Sequence, residues 1–385
     1  MVGRFWINNK PQMQKILHIP NFFYPNQGGI ESTCKYIIEG LPTYEHKVIC
    51  FSASSSTYSD IIDGINVRRV GSFLKLSSQF ISFSYYFELK KILSEYKPDL
   101  IHFHAPNPLV MFYLLMLIPK TCKLVVHWHS DIVEQKMLYK FVMPLERQFL
   151  KRADKVFTTS PNYSPYSVPL QQVIDKVVVV ASAIELDKFV LNSNENAKLK
   201  NFRDGYLNKK IVFFIGRHVQ YKGLKYLLEA EKYIQCDCLL LIAGSGPLTE
   251  SLKNEFKSDR IKFLGRLSDE DLKIHLHLAD VFAFPSITKN EAFGLVLAES
   301  MFCGTPAVTF TIEGSGVNWV SLNNETGIEV ENGNSVLFAE AIDKLLSDEA
   351  LRITYAQNAR NRVLENFEMD KIKVQLHLIY EKLLS

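Results

Sequence analysis

The chain has 385 residues. Because single hydrophobic cores stop growing at roughly 250–300 residues, we expect two domains. A content of 47% hydrophobic and 22% charged residues is that of a globular protein and excludes the disordered and fibrous classes. The formal net charge of +3 is too small to indicate a nucleic-acid-binding protein, so we expect no nucleic-acid partner.

The sequence contains no evident targeting or membrane-spanning signal. Residues 1–14 lack the apolar centre of a signal peptide, and we expect them to form an extension before a fold that begins at Lys15. The longest apolar run, 109–118, is far shorter than the ~20 residues that a span needs. The cysteines form no paired framework, and Cys236 and Cys238 are too close for a usual zinc site. We therefore expect a cytoplasmic protein with reduced thiols, no metal and no cofactor.

Strand and helix patterns alternate along the first half of the chain. Short, continuous apolar strands of this kind are typical of a parallel sheet that is covered on both faces, in which ligands bind beyond the carboxyl ends of the strands. The predicted strands are 15–20, 46–51, 65–70, 100–104, 123–127, 155–159 and 177–180. The predicted helices are 30–41, 80–96, 109–117 and 131–152.

Three features of this half are candidates for function. Gly28 and Gly29 lie between the first strand and first helix, where backbone amides can approach a phosphate, although paired glycines are more often plain turn residues. His129 follows a strand and precedes a helix, so it is the stronger histidine candidate for chemistry, with a strand-end cap as the alternative for His127 and His129. The basic amphipathic helix within 133–155 fits an anionic membrane surface and a packed helix with a solvated face equally well.

The second half repeats the alternation after a polar stretch, 187–209, that we predict as the interdomain linker. The domains on either side are then 15–186 and 210–367, and a C-terminal helix at 368–385 is expected to pack back on the first domain. Ser268 to Asp271 predicts a helix cap, which we prefer to a metal-binding D-x-D. The predicted strands of this half are 211–215, 238–243, 261–264, 281–285, 306–310 and 326–330.

The segment 281–310 reads as strand, loop, helix and strand, and it carries two glutamates, Glu291 and Glu299. The helix is predicted from near Glu291 to Gly304, with Glu291 in the loop or at the first helical position. The free amides at residues 293–295 would then lie between the two carboxylates and attract anions. A first-turn glutamate needs no ligand, and a helical glutamate is usually solvated. However, the apolar surroundings of Glu299 favour a functional role, because buried charge requires a partner.

Two cations, Arg217 and Lys222, follow the strand 211–215 within one loop. Arginine binds phosphate through two hydrogen bonds and lysine binds it as a point charge, so together they could neutralise a diphosphate. Two solvated cations in a surface loop are the equally probable alternative. Carboxylates, anion-binding amides and cations together suit a ligand that carries both hydroxyls and phosphates, such as a nucleotide sugar.

These motifs together resemble a known family. Gly216-Arg217-x4-Lys222-Gly223, the G-x-G-P turn at 244–247 and the E-x7-E motif at 291–299, preceded by Gly28-Gly29, are similar to the retaining GT-B glycosyltransferases of family 4. The resemblance covers about residues 15–384 and is strongest to bacterial mannosyl- or rhamnosyl-type transferases of surface polysaccharide assembly. It implies two Rossmann-like doubly wound α/β domains that face a central cleft.

The resemblance also implies roles for individual residues. Arg217 and Lys222 would bind the donor diphosphate, Glu299 the ribose diol, and Glu291 the hydroxyls of the donor sugar, while His129 would touch that sugar near the reacting carbon. The complete set implied to bind the donor is Gly28, Gly29, Arg217, Lys222, Gly244, Gly246, Glu291, Phe293, Gly294, Leu295 and Glu299. No metal is implied.

The expected activity is the transfer of a hexose, first mannose from GDP-mannose, to a polyprenyl-diphosphate-linked oligosaccharide in O-antigen, capsule or exopolysaccharide synthesis. A UDP-hexose or UDP-N-acetylhexosamine is the second choice of donor. A sugar-nucleotide epimerase of the same fold and a non-catalytic sugar-binding protein are the two rival functions. The expected location is the cytoplasm, peripheral on the inner face of the plasma membrane if the basic helix binds lipid.

Overall fold

The computed structural model describes residues 13–26, 28–76, 79–132, 136–207 and 209–385. Contacts divide the chain into two compact units. The first contains the described residues as far as Phe157, together with Asp175–Val178 and Lys373–Ser385, and the second contains Thr158–Ile174 and Val179–Ile372. Most of the predicted N-terminal extension, residues 1–12, lies outside the described residues.

The first unit is built on an eight-stranded sheet with the order β10-β9-β8-β7-β1-β2-β4-β3. β1 pairs in parallel with β7 and β2, as do β7 with β8 and β2 with β4, whereas β3 runs antiparallel to β4. Its strands are β1 (Lys15–Ile19), β2 (Glu45–Phe51), β3 (Tyr58–Ile62), β4 (Ile65–Val70), β7 (Leu100–Ala105), β8 (Lys123–Trp128), β9 (Lys155–Thr158) and β10 (Val177–Val179), and a separate hairpin is formed by β5 (Leu74–Leu76) and β6 (Gln79–Ile81).

The helices of this unit follow the predicted pattern, except that α2 and α4 begin later than predicted. They are α1 (Gly29–Gly40), α2 (Ser84–Tyr96), α3 (Pro108–Leu117) and α4 (Lys136–Arg152). α2 begins later than predicted because residues 79–81 pair with β5 instead. α3 begins where predicted, since Asn107 accepts a hydrogen bond from the amide of Val110 and Pro108 occupies the first turn. Of the predicted basic helix, the side chains of Lys136 and Lys140 lie outside the described residues.

The second unit contains a six-stranded sheet, entirely parallel, with the order β13-β12-β11-β14-β15-β16. Its strands are β11 (Lys210–Ile215), β12 (Cys238–Ala243), β13 (Ile261–Gly265), β14 (Val281–Phe284), β15 (Ala307–Phe310) and β16 (Gly327–Val330). This is the doubly wound order of the Rossmann fold, in which the order reverses at the first strand, here between β11 and β14. The equivalent reversal in the first unit lies between β1 and β7.

The second unit contains the helices that follow in the chain, and several of them pack on its sheet. They are α5 (Val168–Gln171), α6 (Ser193–Gly205), α7 (Leu224–Ala230), α8 (Thr249–Glu255), α9 (Asp269–Leu278), α10 (Leu295–Phe302), α11 (Val317–Val320), α12 (Ser335–Ser347) and α13 (Glu349–Asn366). The predicted cap of α9 is confirmed, since Ser268 accepts a hydrogen bond from the amide of Asp271. A final helix, α14 (Met369–Leu384), has its residues from Lys373 onward in the first unit.

Two details differ from the sequence-based expectations. The stretch predicted as a linker contains α6, whose N-terminus has a capping box between Asn192 and Glu195. Glu195 also forms an ion pair with Lys273, at 2.5 Å, which ties α6 to α9. In addition, residues 158–174 and 179–186, predicted within the first domain, group with the second unit.

Candidate active site

The loops after β11 and β14 leave the second sheet side by side. Val212 pairs with Val281 and Phe213 with Phe282, so the carboxyl ends of the two strands lie at the same edge. The order of the sheet reverses between these strands, and such a point is where doubly wound sheets form a ligand-binding crevice. This edge carries the cations and the glutamates that the sequence singles out.

An ion pair joins the two loops. The Lys222 ammonium contacts a carboxylate oxygen of Glu291, and the two side chains are only 14% and 12% exposed. The Ser286 hydroxyl donates to the same oxygen at 3.1 Å. Burial by itself would lower the pKa of Lys222, but the attraction of Glu291 outweighs it and the net shift is upward, so the ammonium stays charged. The structure thus brings the 217–222 and 291–299 segments together.

Two hydroxyls that sequence reasoning missed hold the backbone beside Glu291. Ser315 donates to the carbonyl of Glu291, and Thr159 donates to the carbonyl of Ala292 at 3.0 Å. Thr159 and Ala292 are both buried. Buried hydroxyls of this kind fix the direction of the peptide groups because an unpaired buried carbonyl is costly. Neither residue is near Glu291 in sequence, so no local pattern could have identified them.

The amides that follow face an open end of α10. Among the described residues, no acceptor is found for the backbone N–H groups of Phe293, Gly294 or Leu295. The helix predicted to start at Glu291 begins instead at Leu295, because Gly294 has a φ of +86°, outside the helical region. Glu291 is therefore a loop residue. Free N–H groups and the positive end of the helix dipole favour an anion here.

Glu299 lies on the second turn of α10 and is partly buried. Burial raises the pKa of its carboxyl to about 7, against a smaller opposing effect of Lys188. Within the described ranges its carboxylate accepts no hydrogen bond. A partly buried acceptor without donors fits the role of a group that receives hydrogen bonds from ligand hydroxyls.

The remaining candidates of this unit differ from one another. Arg217 is exposed, and its guanidinium has no hydrogen-bond or ion-pair partner in the described part of the chain.

Gly244 and Gly246 pack the loop after β12 onto the loop after β11. A Cβ on Gly244 would lie 2.0 Å from the carbonyl oxygen of Gly216, and a Cβ on Gly246 would lie 2.4 Å from the carbonyl oxygen of His218. Close packing of loops therefore suffices to require both glycines.

In the first unit, Gly28 and Gly29 open α1 as predicted. Gly28 is extended, with a φ of 177°, but a Cβ there would lie 2.4 Å from a carboxylate oxygen of Glu31. Burial raises the pKa of Glu31, against the opposing effect of backbone N–H groups at its own position and at Phe22. The turn therefore carries a carboxyl group beside the amides of the helix N-terminus.

His129 lies at the carboxyl edge of the first sheet, directly after β8. Its Nε2 is 3.0 Å from Nδ1 of His104, and its ring stacks on His127 with centroids 4.3 Å apart. Burial lowers the pKa of His129 to about 3, so the imidazole is neutral at physiological pH. His102 continues the stack and hydrogen-bonds Tyr380 of α14. The alternate spacing of histidines on β7 and β8 is a signal from which this stack could have been found.

Comparisons with known proteins agree with this architecture. Residues 27–188 match the family described as Glycosyltransferase Family 4, and residues 196–362 match the family described as Glycosyl transferases group 1. The chain is 28% identical to the O-antigen chain mannosyltransferase C of Escherichia coli, over 92% of this chain and 95% of that relative. It is 29% identical to the D-rhamnosyltransferase WbpZ of Pseudomonas aeruginosa, over 92% of each chain.

Solved structures show the same fold. Sucrose-phosphate synthase from Thermosynechococcus elongatus superposes with a TM-score of 0.79 at 22% identity, over 96% of this chain and 99% of that one. Anabaena HepE in complex with UDP-glucose superposes with a TM-score of 0.76 at 18% identity, over 96% of this chain and 99% of that one. Because both domain families and the fold agree, the chain belongs to the family 4 glycosyltransferases of the GT-B fold and is a hexosyltransferase.

Proposed function

We propose that the chain is a retaining glycosyltransferase that moves mannose from GDP-mannose to a lipid-linked oligosaccharide during the synthesis of a surface polysaccharide. The observation that carries the proposal is the buried Lys222–Glu291 pair at the strand-order reversal of the second sheet, beside the open amides of residues 293–295. Lys222 and the open amides suit a diphosphate, and the Glu291 carboxylate suits the hydroxyls of a sugar.

The choice of mannose rests on relatives. The E. coli relative is named as an O-antigen chain mannosyltransferase and the P. aeruginosa relative as a D-rhamnosyltransferase, and both align over nearly the whole chain. A UDP-hexose or UDP-N-acetylhexosamine remains the second choice of donor, supported by the complex of HepE with UDP-glucose. The name of the E. coli relative, an O-antigen chain mannosyltransferase, supports a lipid-linked acceptor and a place at the inner face of the plasma membrane.

The proposed chemistry needs no metal. The bond between the anomeric carbon and the diphosphate oxygen breaks, and the charge that develops on the leaving diphosphate is stabilised by Arg217, Lys222 and the amides of residues 293–295. When phosphate engages Lys222, the Glu291 carboxylate is released to accept hydrogen bonds from the donor sugar. Glu299 accepts those of the ribose diol, and His129 contacts the sugar.

Retention of configuration then requires attack on the face that the diphosphate leaves. The acceptor hydroxyl bonds to the anomeric carbon, and its proton passes to the departing phosphate oxygen. No carboxylate nucleophile is needed, and the fixed cations act on charge that appears only in the transition state.

A panel of nucleotide sugars tests the donor. GDP-mannose is expected to raise the melting temperature most and to release nucleoside diphosphate only when an acceptor is present. Release without acceptor, or conversion of the donor alone, would favour a hydrolase or an epimerase. An α-linked product from the α-linked donor, read by NMR, would support retention. Full activity in EDTA would support the metal-free mechanism, and loss of activity that Mg²⁺ restores would refute it.

Substitution of the cation gives a second test with a matched control. Lys222→Ala is expected to lower turnover on the order of 10²-fold, as loss of one group that stabilises developing charge does. Lys225→Ala removes a lysine that pairs with Glu229 and Glu255 on the exposed side of α7, and it should leave turnover unchanged. Equal turnover of the two variants would remove Lys222 from the mechanism.

A further inference from the structure

The first unit exposes an unusual aromatic surface. Its members are large apolar side chains that are between 47% and 68% exposed, and we call them the aromatic patch: Phe73, Leu74, Phe83, Phe87, Phe112 and Met116. Single exposed apolar residues are common on protein surfaces, whereas contiguous apolar patches usually mark a binding surface.

Ring contacts join the aromatic side chains into two groups, and α2 connects the two groups. Phe73 stacks on Phe83 with centroids 5.2 Å apart, which connects the β5–β6 hairpin to the start of α2. Tyr86 meets both Phe87 and Tyr113 edge-on, at 5.3 Å and 5.5 Å. Tyr113 lies on α3 beside Phe112, and the centroids of these two rings are 6.0 Å apart. The aromatic patch therefore extends from the hairpin across α2 to α3.

α3 is apolar on its inner and outer sides alike. Its sequence, PLVMFYLLML, contains one polar group, the Tyr113 hydroxyl, and this group donates to the carbonyl of Ser82 at 3.3 Å. Val110 and Leu114 face the core, while Phe112 and Met116 are about half exposed. A surface helix of a soluble protein normally presents polar residues outward, so the outer side of α3 is suited to an apolar environment.

Charge next to the aromatic patch is mainly positive, and the exposed acid Glu95 lies two turns beyond Phe87 on α2. The two segments that carry it, residues 64–87 and 100–130, contain no Asp or Glu. Lys90 shares the exposed face of α2 with Phe83 and Phe87 by helical spacing, and Lys91 is exposed beside it. The first acid of α2, Glu88, is neutralised by Arg68, with two bonds of 2.8 and 2.9 Å. The partner of this surface is therefore expected to be both apolar and anionic.

We propose that the aromatic patch docks the protein on an anionic lipid bilayer. Aromatic rings at the depth of the headgroups, with lysines that attract acidic lipids, are the combination that binds peripheral proteins to membranes. The β5–β6 hairpin also reaches the carboxyl edge of the first sheet, since Phe80 packs edge-on against Phe22, in the loop after β1, at 4.9 Å. This inference rests on the proposed lipid-linked acceptor, whose lipid would stay in the bilayer while its sugar reaches this edge.

Flotation with vesicles tests the docking. The full chain and the double variant Phe83→Ser/Phe87→Ser are mixed with vesicles of phosphatidylcholine alone or with phosphatidylglycerol added. A matched control, Val374→Ser/Leu378→Ser, removes two equally exposed apolar residues of the same unit, 62% and 61% exposed on α14. Melting curves confirm that each variant is folded.

Docking predicts that the wild type and the α14 control float with phosphatidylglycerol vesicles, and that the Phe83/Phe87 variant binds on the order of tenfold or more weakly. Equal flotation of that variant, or no flotation of the wild type, would overturn the proposal. The proposal would also be overturned if the wild type were a dimer and the Phe83/Phe87 variant a monomer, because a second copy of the chain would then cover the aromatic patch. Wild-type protein that floats but transfers no sugar to a water-soluble acceptor would refute the proposed function and leave the docking intact.

Discussion

Acidification from pH 7 to pH 5 is expected to unfold the first unit before the second. Four histidines of the first unit are at most 1% exposed, and burial, reinforced by neighbouring histidines, holds the pKa of each well below the ordinary 6.5: His18, His102, His104 and His127. The unfolded chain takes up protons on these side chains below pH 6.5 and the folded chain does not. Stability is therefore complete above that pH and is lost as the pH falls through it.

The expected loss is comparable to the whole stability of a domain. A histidine that stays neutral in the folded state costs about 2 kcal/mol at pH 5 relative to pH 7. Four of them cost at most about 8 kcal/mol, against a typical stability of about 5–15 kcal/mol. Glu31, whose pKa burial raises, takes up a proton in the folded state and offsets part of the loss. In the described residues of the second unit, burial lowers the pKa of three histidines, His218, His275 and His277, and of these only His218 is as little as 1% exposed.

Limited proteolysis at pH 7, 6 and 5, with cleavage sites assigned by mass spectrometry, measures the two units separately. Cleavage is expected to appear first within the first unit. His127→Leu should move its onset to lower pH by removing one of the four groups. His377→Gln removes a histidine whose side chain is 41% exposed and serves as the control. Simultaneous loss of protection in both units, or an unchanged onset in His127→Leu, would refute the argument.

Three further substitutions test the second unit. Lys222→Met leaves Glu291 buried without a cation and should lower the free energy of unfolding by about 3 kcal/mol. Adding Glu291→Gln should restore part of this loss, whereas additive effects of the two changes on the melting temperature would argue against the ion pair. Gly244→Ala should destabilise more than Gly265→Ala in thermal unfolding, because both have positive φ but only the first meets a backbone oxygen. Ser315→Ala leaves the carbonyl of Glu291 unpaired and should lower the free energy of unfolding by about 1–3 kcal/mol. An unchanged melting temperature would contradict this prediction.

The convergence of the loops in the second unit could be predicted from the sequence for a simple reason. Short apolar strands indicated a parallel sheet, and the carboxyl ends of parallel strands share one edge. Lys222 and Glu291 each follow such a strand, so their proximity depends only on β11 and β14 being neighbours. Their direct contact is a further detail that depends on side-chain packing.

Some features could not be predicted or were misread. Thr159 and Ser315 reach the Glu291 loop through tertiary contacts that have no sequence signature. The start of α10 was misplaced because a glutamate is a good first-turn residue, and the positive φ of Gly294 outweighed that preference. In contrast, the capping box of α6 was visible in the sequence as Asn192 and Glu195, but the polar composition around it was read as a linker.

The carboxyl edges of the two sheets differ in charge, and this difference suggests which substrate each recognises. The second edge carries the cations Arg217 and Lys222 and open amides, together with the carboxyl groups of Glu291 and Glu299. At the first edge, His104 and His129 have lowered pKa values and are neutral at physiological pH, and Asn107 donates to Asn21 at 2.6 Å. Neutral imidazoles and amides hydrogen-bond to hydroxyls but do not neutralise a diphosphate. We infer that the second unit holds the donor phosphates and the first recognises sugar hydroxyls.

The different pKa values of His129 and Glu299 predict which of the two side chains gives the reaction its pH dependence. His129, with a pKa of about 3, stays neutral from pH 6 to 8, the range above the predicted unfolding of the first unit in which the profile is read, and contributes no change there. Glu299, with a pKa of about 7, loses its negative charge as the pH falls, and with it the ability to accept two hydrogen bonds from a diol. Donor kcat/KM should therefore fall below about pH 7 because the free enzyme becomes protonated at this site. Glu299→Gln should flatten that limb at a lower overall level, whereas an acid limb that persists in Glu299→Gln and disappears in His129→Gln would reverse the assignment.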